Sequence, residues 1–329
     1  MKIIVIGTGS VGKRHLGNLQ SLGVKDLAVC DRREDRLKEV AEKFGVKNLY
    51  KELNAEALAG ATGAVIATPP HIHVPIANKL LEAGISVMIE KPLAHASDGT
   101  KPMLELADKK KCFVMTGYTY RFWPPLMKIK ELLTQGAIGK IYDVRITFSE
   151  YLPDWHPWED YRSFYMAKKE EGGGALLDES HTVDFARWLF GDIEEVYAVN
   201  GKISHLEITS DDLAVLLVRF KGGTVGTIHM DIFGRAHRKD MEVMGEKGNI
   251  YWNFYDNEVR LYHADQKKWE SFPFTCERNQ MFMDEVKHFL ACLEGKERPM
   301  VDGKDGLKTL MCLLAAQESA RTKKAVSLN

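Results

Sequence analysis

The 329-residue sequence is short of cysteine, of net charge and of long apolar runs, and each shortage removes a class of protein. Its five cysteines (Cys30, Cys112, Cys276, Cys292, Cys312) are odd in number, scattered and free of any C-x-x-C spacing. That argues against a disulfide frame or a cysteine zinc site and suits a reducing compartment, so a cytoplasmic protein is expected. Lysine and arginine number 45 against 46 acidic residues, without the basic excess of a general nucleic-acid binder. No apolar stretch approaches the ~20 residues that span a bilayer. The apolar run at 3–6 meets glycine too soon for a secretory signal. Neither a nucleic-acid nor a membrane partner is expected.

What is present is a rhythm. Up to residue 121, short apolar runs (KIIVI, DLAVC, GAVIAT, ISVMIE, KCFVMTG) alternate with amphipathic segments (VGKRHLGNLQSL, RLKEVAEKF, HIHVPIANKLLEA). Such alternation predicts parallel strands joined by crossover helices. After Arg121 a helix (LMKIKELLTQG) leads into a long strand, GKIYDVRITFSEY, and a helix is expected to start near Gly174. Then DDLAVLLVRF, TVGTIHMDIF, DMEVMG, NIYWNF and EVRLYH follow without helices between them, with KGG as a hairpin turn. A mostly antiparallel sheet is the expectation there, followed by helices around 279–294 and 303–322. The change of rhythm places a boundary between 1–121 and 122–329.

Gly7-Thr8-Gly9-Ser10-Val11-Gly12 leaves the first strand and opens the first helix. Glycines there permit a tight turn and close approach of a pyrophosphate, which the helix N-terminus then faces with unpaired N–H groups. Asp31 ends the second strand about 20 residues on, where an acid binds the adenosine ribose. The first domain is therefore expected to be a Rossmann dinucleotide-binding domain. Asp31 favours NAD by repelling a 2′-phosphate, while Arg32 and Arg33 leave NADP possible or serve only as a solvated turn.

Thr68-Pro69-Pro70-His71-Ile72-His73 follows the strand GAVIA, and Glu90-Lys91-Pro92 follows ISVMI. Together with the glycine turn, GYTYRFWP, Gly172-Gly173-Gly174, His181-Thr182-Val183-Asp184 and VDGKDGLKTL, this pattern resembles the Gfo/Idh/MocA oxidoreductases over nearly the whole chain. The resemblance implies an α/β fold whose second domain, 122–329, binds substrate and forms oligomers on a large, predominantly antiparallel open sheet. It implies Lys91 as the catalytic lysine, Glu90 on the nicotinamide-side ribose, and Pro92 shaping the turn. Thr68, Pro69 and His73 would lie along the cofactor, Arg121 and His181 would face the substrate, and His181 would carry the proton. A homodimer or homotetramer is implied as well.

The chemistry asks for the same groups. Oxidising a carbinol needs a proton acceptor, a donor for the developing alkoxide and an aligned nicotinamide. One departure stands out: many members carry D-x-x-x-H, whereas Asp178 precedes His181 by three residues. On a helix, Asp178, His181 and Asp184 would share a face. Asp178 then orients the histidine or merely caps the helix after the glycines; a metal on this face lacks further ligands and none is expected.

The stretch 151–169 offers Trp155, His156, Trp158, Tyr161 and Arg162, which suit sugar rings or equally a packed loop or oligomer contact. Alternation places His229 and Asp231 on one sheet face and Met230 on the other. Lys91, Arg121, His156, Arg162, Arg235 and Arg238 hint at an anionic substituent on the substrate. The expected reaction is hydride transfer between NAD(H) and a secondary alcohol or ketone of a sugar, cyclitol, sugar acid or nucleotide sugar. A glycosidase using NAD transiently and a dinucleotide-sensing regulator are the alternatives.

Overall fold

Short runs dense in Ile and Val are buried on both faces, and the amphipathic segments between them become the covering helices. The structure is a computed structural model that describes residues 1–328. Its first elements are β1 (Lys2–Ile6), α1 (Ser10–Ser21), β2 (Asp26–Cys30), α2 (Glu34–Phe44), β3 (Asn48–Tyr50), α3 (Ala55–Leu58), β4 (Ala61–Ile66), α4 (His73–Glu82), β5 (Ser86–Glu90), α5 (Thr100–Lys110) and β6 (Val114–Gly117). The six strands pair in parallel in the order β3-β2-β1-β4-β5-β6. That order reverses between β1 and β4, so the turns leaving those strands border the crevice where open sheets bind ligands. Ile4, Ile6, Ile66 and Ile89 pack with Leu80, Leu81 and Met103 in one core. Each such side chain contributes roughly 1.5–3 kcal/mol on burial.

From α6 (Pro124–Thr134) the chain builds a second layer. It comprises β7 (Ile141–Tyr151), α7 (Ala175–Asp178), α8 (His181–Phe190), β8 (Ile193–Gly201), β9 (Leu213–Phe220), β10 (Val225–Asp231), β11 (Phe233–Gly245), β12 (Gly248–Asn253), β13 (Glu258–His263) and β14 (Lys268–Pro273). Then come α9 (Arg278–Leu293), α10 (Gly303–Thr322) and the short β15 (Val326–Ser327). Nine strands pair in the order β14-β13-β12-β11-β7-β10-β9-β8-β15, all antiparallel except β7 with β10. Period-two alternation sends Val144, Ile146 and Phe148 of β7 to the buried face and Arg145 to the other. The KGG segment closes the β9–β10 hairpin, with Gly223 at φ 84.

Two compact units result: Met1–Thr119 with Asn279–Lys308, and Tyr120–Arg278 with the chain from Thr309 onward. The grouping of 279–308 with the first sheet is not announced by the sequence rhythm. Nor is the single expected helix after Gly174 formed. Thr182 bonds the Glu179 carbonyl through both its N–H and its hydroxyl, a three-residue closure that separates α7 from α8. Among the described residues no helix is long and apolar enough to cross a membrane.

Candidate functional site

In the first unit the candidate residues stand at the carboxyl ends of adjacent strands: Gly7 after β1, Asp31 after β2, Thr68 after β4 and Lys91 after β5. Gly7 has φ 85, and a Cβ there would strike the Ala67 carbonyl. A Cβ at Gly12 would strike the carbonyl of Gly7, so only glycine lets α1 pack this tightly on the turn. Gly9 differs: beside its absent Cβ lies only Arg36 Nη1, at 3.9 Å, which leaves the turn open. No side chain caps α1 at Gly9, and neither Ser10 nor Val11 is buried, so its first N–H groups are available to an anion. Thr68 Oγ1 is buried without a partner. An open glycine turn, an uncapped helix and an orphaned hydroxyl at one sheet edge fit a dinucleotide.

Asp31 is mounted by its neighbours. Its Oδ2 accepts from Thr8 N and Thr8 Oγ1, both at 2.7 Å, and its Oδ1 accepts from Arg33 N at 2.9 Å. Oδ1 keeps a lone pair for a ribose hydroxyl. Thr8 is thus the acid's support, Arg32 is exposed, and Arg33 pairs with Asp35.

Two other residues turn inward. His73 is fully buried, with Nε2 2.8 Å from the Thr68 carbonyl and Nδ1 3.1 Å from the Pro92 carbonyl. Burial holds its pKa below the ordinary histidine value against the pull of those carbonyls, so the neutral ring donates one hydrogen bond and clamps two turns together. It braces Thr68-Pro69 and the cis Lys91–Pro92 turn from behind. Glu90 places Oε1 2.5 Å from His15 Nε2, while its Oε2 accepts from Lys91 N at 3.2 Å. Burial alone would raise the Glu90 pKa; the pairing with His15 and the charge of Lys91 bring it below the usual glutamate value. Glu285 of α9 completes a buried group with His15 and Glu90 whose ligand-type atoms lie within 4.8 Å of one another. Glu90 is thus anchored toward α1 through His15, with Glu285 of α9 close by. His15 was hidden in the helical pattern, three residues after Gly12.

In the second unit the break between α7 and α8 sets the geometry. His181, 8% exposed, has Nε2 2.7 Å from Glu179 Oε2, an ion-pair distance without hydrogen-bond alignment between the two atoms. Its ring stacks on Tyr120 at 4.6 Å and 17°, with Phe148 at 5.3 Å. Asp178 accepts from Tyr165 Oη at 2.6 Å. The three-residue closure ends α7 at Asp178 and starts α8 at His181, with Glu179 between them. Arg121 makes a two-bond fork to Asp184, 2.8 Å from Nε and 2.7 Å from Nη2, with both residues buried.

The aromatic stretch forms a packed loop of short 3₁₀ turns between 152 and 171. Trp155 and Tyr161 pack on the cluster of Leu152, Phe164 and Ile232. Tyr161 Oη accepts from Glu207 N at 3.1 Å, and His156 meets Phe164 edge-on at 5.1 Å. Arg162 is paired with Asp160 and Glu207. Trp158, 74% exposed, and Arg162 stand outward from this group. His229 and Asp231 do share a face, 2.8 Å apart.

Comparison with known proteins adds the following. The oxidoreductase family with an NAD-binding Rossmann fold matches residues 1–118, and the GFO/IDH/MocA C-terminal domain matches residues 126–251. Myo-inositol 2-dehydrogenase of Thermotoga maritima is 33% identical over 100% of this chain and 98% of its own length. A crystal structure of a probable dehydrogenase from Thermotoga maritima is 29% identical with a TM-score of 0.82, covering 99% of this chain and 98% of that one. The WlbA dehydrogenase of Bordetella pertussis, solved with NADH and UDP-GlcNAcA, is 25% identical with a TM-score of 0.84, covering 100% and 99%.

Proposed function

The chain belongs to the Gfo/Idh/MocA family of NAD-dependent oxidoreductases, and from that premise we propose that its substrate is an uncharged polyol, a cyclitol or a sugar. One observation carries the choice: three of the six basic groups that suggested an anionic substituent are ion-paired within their own unit. Arg121 is paired with Asp184, Arg162 with Asp160 and Glu207, and Arg238 with Asp240. Arg235 lies over the Tyr151 ring at 3.9 Å. A carboxylate or phosphate substituent would have to compete with carboxylates already in place.

NAD, when bound, accepts the hydride. The glycine turn, the first turn of α1 and Asp31 hold it. In this reading Lys91 is the first unit's donor to a developing alkoxide and His181 the second unit's proton carrier, with Glu179 beside its ring. Asp178 has no direct part in this reading; it secures Tyr165. The test is a panel of myo-inositol, neutral hexoses, uronates and nucleotide sugars with NAD, followed by NADH formation. Neutral polyols should exceed uronates at least tenfold in kcat/KM; preference for a uronate or nucleotide sugar overturns the assignment.

The outward face of the nine-stranded sheet carries Tyr197, Val199, Leu217 and Trp269, each over 40% exposed, with Tyr197 directly opposite Leu217. An apolar sheet face of this kind favours covering by a second copy, so a homo-oligomer is part of the proposal. Light scattering should give at least a dimer at micromolar concentration.

A further inference from the structure

Alternation along β11 turns Lys239, Met241 and Val243 to the buried side, opposite Phe148, Ile146 and Val144 of β7. A lysine thus occupies a position in an inward column where its neighbours are apolar. It is 4% exposed. Burying an ammonium is costly unless it is paired, and Lys239 is paired: Nζ lies 2.9 Å from Glu150 Oε2 and 3.4 Å from Tyr120 Oη. It also lies over the rings of Phe148, at 5.1 Å, and Phe254, at 5.8 Å. Tyr120 is the residue whose ring stacks on His181.

We propose that Lys239 is a positioning residue for His181, acting through Tyr120, with Glu150 as its balancing charge. The proposal rests on His181 as proton carrier for its functional meaning, but not for its geometry. Lys239 donates to the Tyr120 hydroxyl and pins that end of the ring, which then stands as a flat wall beside the imidazole. Phe148 braces the imidazole at 5.3 Å, and the Glu179 carboxylate lies beside Nε2 at 2.7 Å. The ring is left with little freedom to turn. Burial works against the Lys239 charge, yet the surrounding anions, Tyr120 once ionised at high pH and the carboxylates of Glu150 and Glu179, hold the amine above the ordinary lysine range. Burial pushes the Tyr120 phenol up to about 12, so the wall is neutral at physiological pH.

The pair also sets the field at the histidine. The charged and titratable groups of this cluster include Glu179 on its own turn, Tyr120, Lys239 on β11 and Glu150 on β7, with His237 of β11 3.8 Å from Glu150 and with Tyr255 and Arg278 in the same electrostatic group. Glu150 and Lys239 carry opposite charges 2.9 Å apart. Removing the lysine leaves a carboxylate that favours imidazolium; removing the carboxylate charge leaves an ammonium that disfavours it.

The test is an NMR titration of the His181 imidazole, assigned among the 11 histidines by its loss in His181→Gln, which requires no substrate. Lys239→Met should raise the His181 titration midpoint by about half a pH unit or more, and Glu150→Gln should lower it by a similar amount. Lys239→Arg should stay near wild type. Opposite signs from two variants are not expected of a merely structural role, and Glu150→Gln stands as the test if Lys239→Met does not fold. An unmoved midpoint, or movement of the two variants in the same direction, overturns the proposal. Normal turnover in His181→Ala alongside the predicted shifts would instead sink the catalytic reading and leave the mount intact.

Discussion

The two units differ in how their functional residues are held. In the first, the cofactor residues stand on consecutive strand ends, and Asp31 is mounted by Thr8, only 23 positions away. In the second, two key contacts come from far along the chain: Arg121 is held by Asp184, 63 positions on, and Tyr120, on which His181 stacks, by Lys239, 119 positions on. A local motif can support NAD binding through its own backbone geometry. A proton carrier assembled from distant strands depends on buried charge pairs, so damage to the second unit should cost stability and turnover together.

The largest effect should come from Arg121→Met, which leaves Asp184 buried without its fork. A loss of roughly 3–5 kcal/mol is expected in urea unfolding. A loss under about 1 kcal/mol would mean that the fork adds little to this unit. Next is the contrast between Glu179→Gln and Asp178→Asn. Glu179→Gln should lower kcat about tenfold and shift the pH–rate profile, because Glu179 fixes the imidazole. Asp178→Asn keeps an acceptor for Tyr165 Oη and should change kcat less than threefold. A reversed ranking would return the orienting role to Asp178.

That contrast also marks how far the sequence could be read. The parallel sheet, the glycine turn and Asp31 were legible because period, spacing and glycine geometry are local properties. The antiparallel sheet was legible from alternation, although β8, β14 and β15 in it, and β3 in the parallel sheet, were not separately recognised; β3 and β15 are only three and two residues long. Glu179 was missed because helical spacing favoured Asp178, and the three-residue closure at Thr182, next to which Glu179 comes within 2.7 Å of His181, leaves no mark in the sequence pattern. His15 and Lys239 were missed for another reason. Each reads as an ordinary helical or strand residue until a partner 75 or 119 positions away supplies its meaning.

The smallest effect concerns the clamp in the first unit. The folded pKa of His73 lies below its unfolded value of about 6.5, so the unfolded chain binds more protons as pH falls through that value. His73 therefore lowers stability below about pH 6.5, by at most about 1.4 kcal/mol per pH unit until its folded pKa is reached. His73→Gln, which still donates one hydrogen bond, should flatten the fall of the melting temperature between about pH 6.5 and 5. An equally steep fall in the variant would assign that acid sensitivity to other groups.

The most direct measurement compares NAD affinity with turnover of the best neutral polyol in Lys91→Ala and His181→Ala. Each variant should bind NAD within about threefold of wild type, because Gly7, Gly9, Gly12 and Asp31 are untouched, while turnover falls at least ~100-fold. Near-normal turnover in both variants would contradict the account.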